Sequence, residues 1–242
     1  MTDQPAIPAP PWQRLPPDRG QRRRRDPITR DAIVGKALEL LDRDGLDALS
    51  MRRIADELGT GAASLYWHVG SKDALLDLVL DEVIGELPVP DPEPERWADQ
   101  LKEIGHGMRA VILRHRDIVR LSVGRIPMGP NALEFSERIL AVLRAGGVPD
   151  DLAVLGHHLL FSIVNGFTLD ESGELDSTES HPRGDEAGAM VRDYITALPA
   201  DRFPNMVAVA DHYAITDNDR RFALLIDLYV DGLAARVRAA TA

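Results

Sequence analysis

Two glycine breaks shape residues 50–87. Ser50 can cap a short helix with Ile54, Ala55 and Leu58 turned inward, and Gly59 ends it. Thr60 and Gly61 make a tight turn. Ala62 to His68 forms a second short helix, and Gly70 breaks it. Ser71 then caps a long helix with Leu75, Leu76, Leu78, Val79, Val83 and Leu87 as its apolar positions. Upstream, Thr29 caps a helix with an Ala32, Ile33, Ala37, Leu38, Leu40 and Leu41 stripe, stopped near Gly45. The spacing of the two short helices is that of a helix-turn-helix.

The rest of the chain keeps the helical period. Pro88, Pro90, Pro92 and Pro94 admit no helix and favour an extended linker. Helices are expected over 97–114, 118–123, 131–144, 151–169, 187–197, 204–213 and 219–239, with an acidic mobile loop over 171–186. No β-alternation or internal repeat is visible. The fold class is all-α, in four parts: a Pro/Arg-rich arm over 1–26, expected to be disordered, a helix-turn-helix domain over 27–87, a linker over 88–96 and a helical effector-binding and dimerisation domain over 97–240.

Composition removes several chemistries. The 242 residues include no cysteine, which excludes disulfides, thiolate metal sites and cysteine nucleophiles. No apolar run approaches a membrane span; the best, Leu152 to Leu169, carries His157, His158 and Asn165. With no apolar leader at its start, the chain reads as soluble and cytoplasmic, with no membrane partner. Net charge is −11, yet residues 1–25 hold six arginines against two aspartates. The body repels nucleic acid on bulk charge, whereas Arg22, Arg23, Arg24 and Arg25 suit phosphate or minor-groove contacts. No Ser–His–Asp order, glycine-rich phosphate loop or HExxH occurs, so the chain does not read as an enzyme, and no cofactor is implied.

The second short helix has the composition of a DNA-reading helix. Small Ala62 and Ala63 permit close approach to a major groove, and Ser64 can bond a base edge or phosphate. Tyr66 and His68 lie on or near the exposed face, with Leu65 and Trp67 expected inward or at the edge. Arg52 and Lys72, on the flanking helices, suit phosphate contacts that set register. A plain three-helix bundle with Tyr66 and Trp67 in its core is the competing reading.

The stretch SMRRIADELGTGAASLYWHVGSKDALLDLVLDEV closely resembles the N-terminal domain of the tetracycline repressor (TetR) family. WADQLKEIGHGMRAVILRHRDIVRLSVGRIP and the later NGFTLDES resemble the tetracycline repressor's own regulatory domain. The resemblance implies a homodimeric, ligand-released repressor on a double-stranded DNA operator, and it places Arg52, Ala62, Ala63, Ser64, Tyr66, His68 and Lys72 at or beside DNA-contacting positions. Ala62 stands where that repressor has a base-reading glutamine, so a different operator is implied. The resemblance also implies a small-molecule pocket among helices 97–114, 116–145 and 151–170. Ser122 stands at the magnesium-binding histidine position and Asp170 at the acidic one. Arg125 and Arg138 replace uncharged drug contacts, and Ile104 and Met108 replace an asparagine and a phenylalanine. With half the metal site lost and the pocket more cationic, no metal is assigned, and the expected effector is an apolar or anionic organic molecule anchored by Arg125 or Arg138.

His157 and His158 are adjacent on a helix and cannot chelate one ion together, so a structural or dimer-interface role is expected. His106 is expected in the core; His115, His181 and His212 in solvent. Asp170, Glu171 and Glu174 read as a solvated helix end. Helices 151–169 and 219–239 are apolar over more than one face, and the resemblance makes them a four-helix dimer interface on a palindromic operator. A DNA-binding dimer controlled by a protein partner is the alternative, and the sequence also admits an activator in place of the expected repressor.

Overall fold

The computed structural model describes residues 28–172, 184–213 and 217–241; the arginine arm, His181 and Glu174 lie outside the described residues. Eleven α-helices are described: α1 (Arg30–Asp44), α2 (Met51–Glu57), α3 (Ala62–Val69), α4 (Lys72–Ile84), α5 (Trp97–Arg114), α6 (Ile118–Ser122), α7 (Pro130–Ala145), α8 (Asp150–Ser172), α9 (Gly184–Thr196), α10 (Pro204–Ala208) and α11 (Asn218–Thr241). Short 3-10 turns occupy Pro94–Arg96 and Ala210–His212. No strand occurs among the described residues, so the all-α class stands.

The expected caps are in place. Thr29, Ser50 and Ser71 accept the backbone N–H groups of Ala32, Arg53 and Ala74. Gly45 and Gly70 end α1 and α3 at φ of 85° and 76°, a region that excludes most side chains. At eight residues α3 is too short to persist alone. Leu65 and Val69 hold it, both fully buried against α1, α2 and α4. Burying each is worth about 1.5–3 kcal/mol.

One core runs without interruption from Ile33 and Leu40 in α1 through Leu75 and Val79 in α4 to Leu101, Ile139, Leu160 and Phe222 farther along the chain. The long α4 therefore belongs to both halves. It packs on α1 and α3 at one end and on α6 and α7 at the other. Helix α5 lies between α8, α11 and α7. The junction with α7 is polar: buried Asp81 of α4 accepts the N–H groups of Asn131 and Ala132 at 3.3 and 2.9 Å, capping α7 from another helix. Burial raises the Asp81 pKa, and these two hydrogen bonds oppose the rise. Gly129 is what admits the carboxylate, since a Cβ there would lie 2.2 Å from Asp81 Cγ.

Helix α8 corrects one expectation. At 23 residues, with a mean hydropathy of 1.5 over its best window, it is long and apolar enough by length and composition to cross a membrane. Its two histidines and asparagine are outweighed by leucine, valine, isoleucine and phenylalanine. One face, with Ala153, Leu160 and Val164, packs into the chain's own core. Another leaves Val154, Leu155 and Leu159 exposed, at 47–57%.

Candidate functional site

The first candidate surface is α3 and its flanks. Ala63 is exposed, and Ala62, Ser64 and His68 are half-buried. Tyr66 is 46% exposed, and Trp67 is 74% exposed rather than turned inward. The eight-residue helix has room for one inward edge, which Leu65 and Val69 already fill, so the intervening indole is forced outward. Sequence reasoning missed Trp67 because a large aromatic at helical spacing reads as core. Arg52 projects from α2, 90% exposed, with its Nε 4.0 Å from Asp56, and Lys72 is exposed at the start of α4. The face thus gathers small, hydroxyl, aromatic and cationic groups around one short helix. Its far side is tied down where Arg30 donates to the His68 carbonyl at 3.1 Å.

The second site is a cavity of about 530 Å³ walled by α4, α5, α6, the α6–α7 connection and α8. Helix α4 contributes Leu80, Val83 and Ile84; α5 contributes Met108 and Val111; α6 contributes Ile118, Val119 and Ser122. The opposite wall is His157, His158, Phe161 and Asn165 of α8. Such a volume, mainly apolar with a few polar groups, suits a small organic molecule.

Of the six pocket residues expected from the sequence, Met108, Ser122 and Arg125 line this cavity. Ile104 instead faces the closed core at 1% exposure. Arg138 lies on the far face of α7, bonded to Glu134 and the Val89 carbonyl beside a smaller cleft of about 160 Å³. Asp170 is paired with Arg221 of α11 at 3.1 Å. These three positions followed from alignment, and a rotation of one helical step turns a side chain from cavity to core or solvent.

The histidines also depart from expectation. His157 and His158 line the cavity. His157 Nε2 is buried with no hydrogen-bond partner among the described residues, and burial, reinforced by His158, lowers its pKa. His106 is exposed rather than in the core, in a T-shaped contact with the Phe222 ring, centroids 5.2 Å apart. His115 is not solvated: its side chain is 11% exposed, with Nδ1 3.0 Å from Asp42 of α1 and Nε2 3.2 Å from Glu86 beyond α4, the latter off hydrogen-bond geometry. Glu171 is likewise held rather than solvated, in a two-point pair with Arg109 at 2.7 and 2.5 Å. No cluster of three or more His, Asp or Glu is placed to hold a metal among the described residues.

Comparison with known proteins joins the two sites. Residues 33–79 match the family of bacterial regulatory proteins called tetR, and residues 89–237 match the tetracyclin repressor-like C-terminal domain. An HTH-type transcriptional regulator of Saccharopolyspora erythraea is 38% identical over 175 residues, 69% of this chain and 74% of that protein. The HTH-type transcriptional repressor DrrR1 of Streptomyces coeruleorubidus is 30% identical, over 89% of this chain and 82% of that protein. The crystal structure of apo ActR from Streptomyces coelicolor is 44% identical, with a TM-score of 0.82 over 90% of this chain and all of that one. ActR in complex with actinorhodin gives 45% and 0.80, over 87% of this chain and 99% of that one. With a helix-turn-helix, a cavity beneath it and both family models matched, the chain belongs to the TetR family of non-enzymatic, DNA-binding, ligand-responsive transcription regulators.

Proposed function

We propose that this chain is a homodimeric repressor that binds a palindromic operator in the cytoplasm and is released by a small apolar or anionic molecule. The observation that carries the reading is the shared helix: α4 walls the cavity with Leu80, Val83 and Ile84 and supports α3 at its other end. A ligand that wedges this wall tilts α4 and moves α3. It need only prefer the released state by a few kcal/mol. The similar ActR has been solved with actinorhodin and with (S)-DNPA bound, and DrrR1 is named a repressor; both support the reading.

In this reading Arg52, Ala62, Ala63, Ser64, Tyr66, His68 and Lys72 meet the DNA, with Trp67 added to that face and Arg22–Arg25 following the phosphates. The half-exposed Leu155 and Leu159 of α8 and Leu224 and Leu228 of α11 pair with the same faces of a second copy. Two α3 helices then stand about 34 Å apart, one turn of DNA.

A mobility shift on the DNA upstream of the chain's own gene tests this, with a panel of apolar and acidic compounds at fixed salt. A shift abolished by one compound is the expected result. A shift that every compound leaves intact moves the reading to control by a protein partner.

A further inference from the structure

The cavity belongs to a protein of net charge −11, yet no carboxylate lines it among the described residues. Its charged or titratable lining is Arg125, His157 and His158. Arg125 sits in the α6–α7 connection and faces two ways. It borders the cavity, and its guanidinium reaches across to α4, with Nη1 2.5 Å from Asp77 Oδ1 and Nη2 3.2 Å from Asp73 Oδ1. Asp73 and Asp77 lie on the first turns of α4, next to α3. One side chain therefore ties the cavity's rim to the part of α4 nearest the DNA-reading helix.

We propose that the effector is an organic acid whose carboxylate takes the Arg125 guanidinium from Asp77 and Asp73, so that filling the cavity breaks the tie holding the first turns of α4. The inference rests on the reading of the cavity as the effector site. A guanidinium fork pairs best with one planar carboxylate, so a ligand carboxylate that takes the fork two-point competes with Asp77 and Asp73 for the Nη donors they now hold. A carboxylate carried into an apolar cavity loses its water and needs a cationic partner. Asp73, 85% exposed, regains water readily when released, and Asp77 is itself a third exposed. Among the described residues Arg125 is the cavity's one permanently charged group.

The exchange has a signature of unusual sign. If the ligand and Asp77 compete for Arg125, removing the Asp77 charge tightens ligand binding, because binding and the tie oppose each other. A direct salt-bridge role without exchange leaves only the smaller, salt-screened gain from losing one nearby negative charge.

The test is equilibrium fluorescence titration of the full-length protein with anthracene-2-carboxylate and its neutral analogue anthracene-2-carboxamide. The native protein, Asp77→Asn and Arg125→Gln are compared, with thermal melting to verify that each variant is folded. The native protein should prefer the acid about tenfold, the scale of one charge-assisted hydrogen bond. Arg125→Gln should bind both probes alike. Asp77→Asn should bind the acid about tenfold more tightly and the amide as the native protein does. Acid affinity unchanged or weakened in Asp77→Asn overturns the exchange, as does a preference that survives Arg125→Gln. Equal binding of both probes by the native protein overturns the exchange but leaves the cavity as the effector site. Binding of neither probe removes both. If Arg125→Gln fails to fold, the Asp77→Asn comparison decides alone.

Discussion

The Asp117 carboxylate accepts the backbone N–H of Leu46 at 2.7 Å, joining the turn before α6 to the turn after α1. Asp117 is the one non-glycine residue with positive φ among the described residues, at 58°, a conformation that aspartate tolerates better than most. Gly45 leaves room for it, since a Cβ there would lie 2.7 Å from Asp117 Oδ2. Next to this contact Arg120 clasps Asp47 through two 2.9 Å bonds, which lower the Asp47 pKa. The cavity wall of α6 is thus latched to the DNA-binding half at a second place besides α4.

Asp117→Ala should therefore cost about 1–3 kcal/mol, the penalty for stranding the Leu46 N–H and keeping a left-handed non-glycine residue. Asp117→Asn keeps both the acceptor and the backbone preference and should cost less than half as much. Urea denaturation of the two variants checks this, and equal losses would show that the latch carries no stability.

Burial holds the His157 imidazole neutral below its ordinary pKa of 6.5. The unfolded chain takes up that proton first as pH falls. This contribution to stability is therefore whole above pH 6.5 and is lost as pH drops from there toward the lowered folded value. Melting temperatures at pH 7.5 and 5.5 should show a smaller acid loss for His157→Gln than for the native protein. Parallel losses would mean that other groups set the acid limit.

Leu155→Glu combined with Leu228→Glu places carboxylates on the two apolar faces of α8 and α11 while leaving the buried faces intact. Sedimentation velocity should show a monomer, and operator binding should fall by at least about tenfold, since one reading head is then lost per complex. A persistent dimer would put the interface elsewhere.

On the DNA side, Lys72→Ala should weaken binding across operator sequences alike and reduce the salt slope by about one counterion. Ser64→Ala should instead alter preference among operator variants and leave the slope unchanged. Mobility shifts at several salt concentrations separate the two.

Local chemistry decided much of this protein. Thr29, Ser50, Ser71, Gly45 and Gly70 bound their helices where the sequence places them, because capping needs only residues within one turn. The all-α class and the order of the helices follow from the same local periodicity. Tertiary structure alone decided which way ambiguous side chains point. Trp67 is outward because Leu65 and Val69 already fill the inner edge of α3. His157 and His158 border the cavity, Ile104 lies in the closed core, and Arg138 and Asp170 pair elsewhere. His115 between Asp42 and Glu86, and Arg125 against Asp77, join residues tens of positions apart. A helical period fixes which residues share a face, but only the packing of several helices decides whether that face meets core, cavity or water.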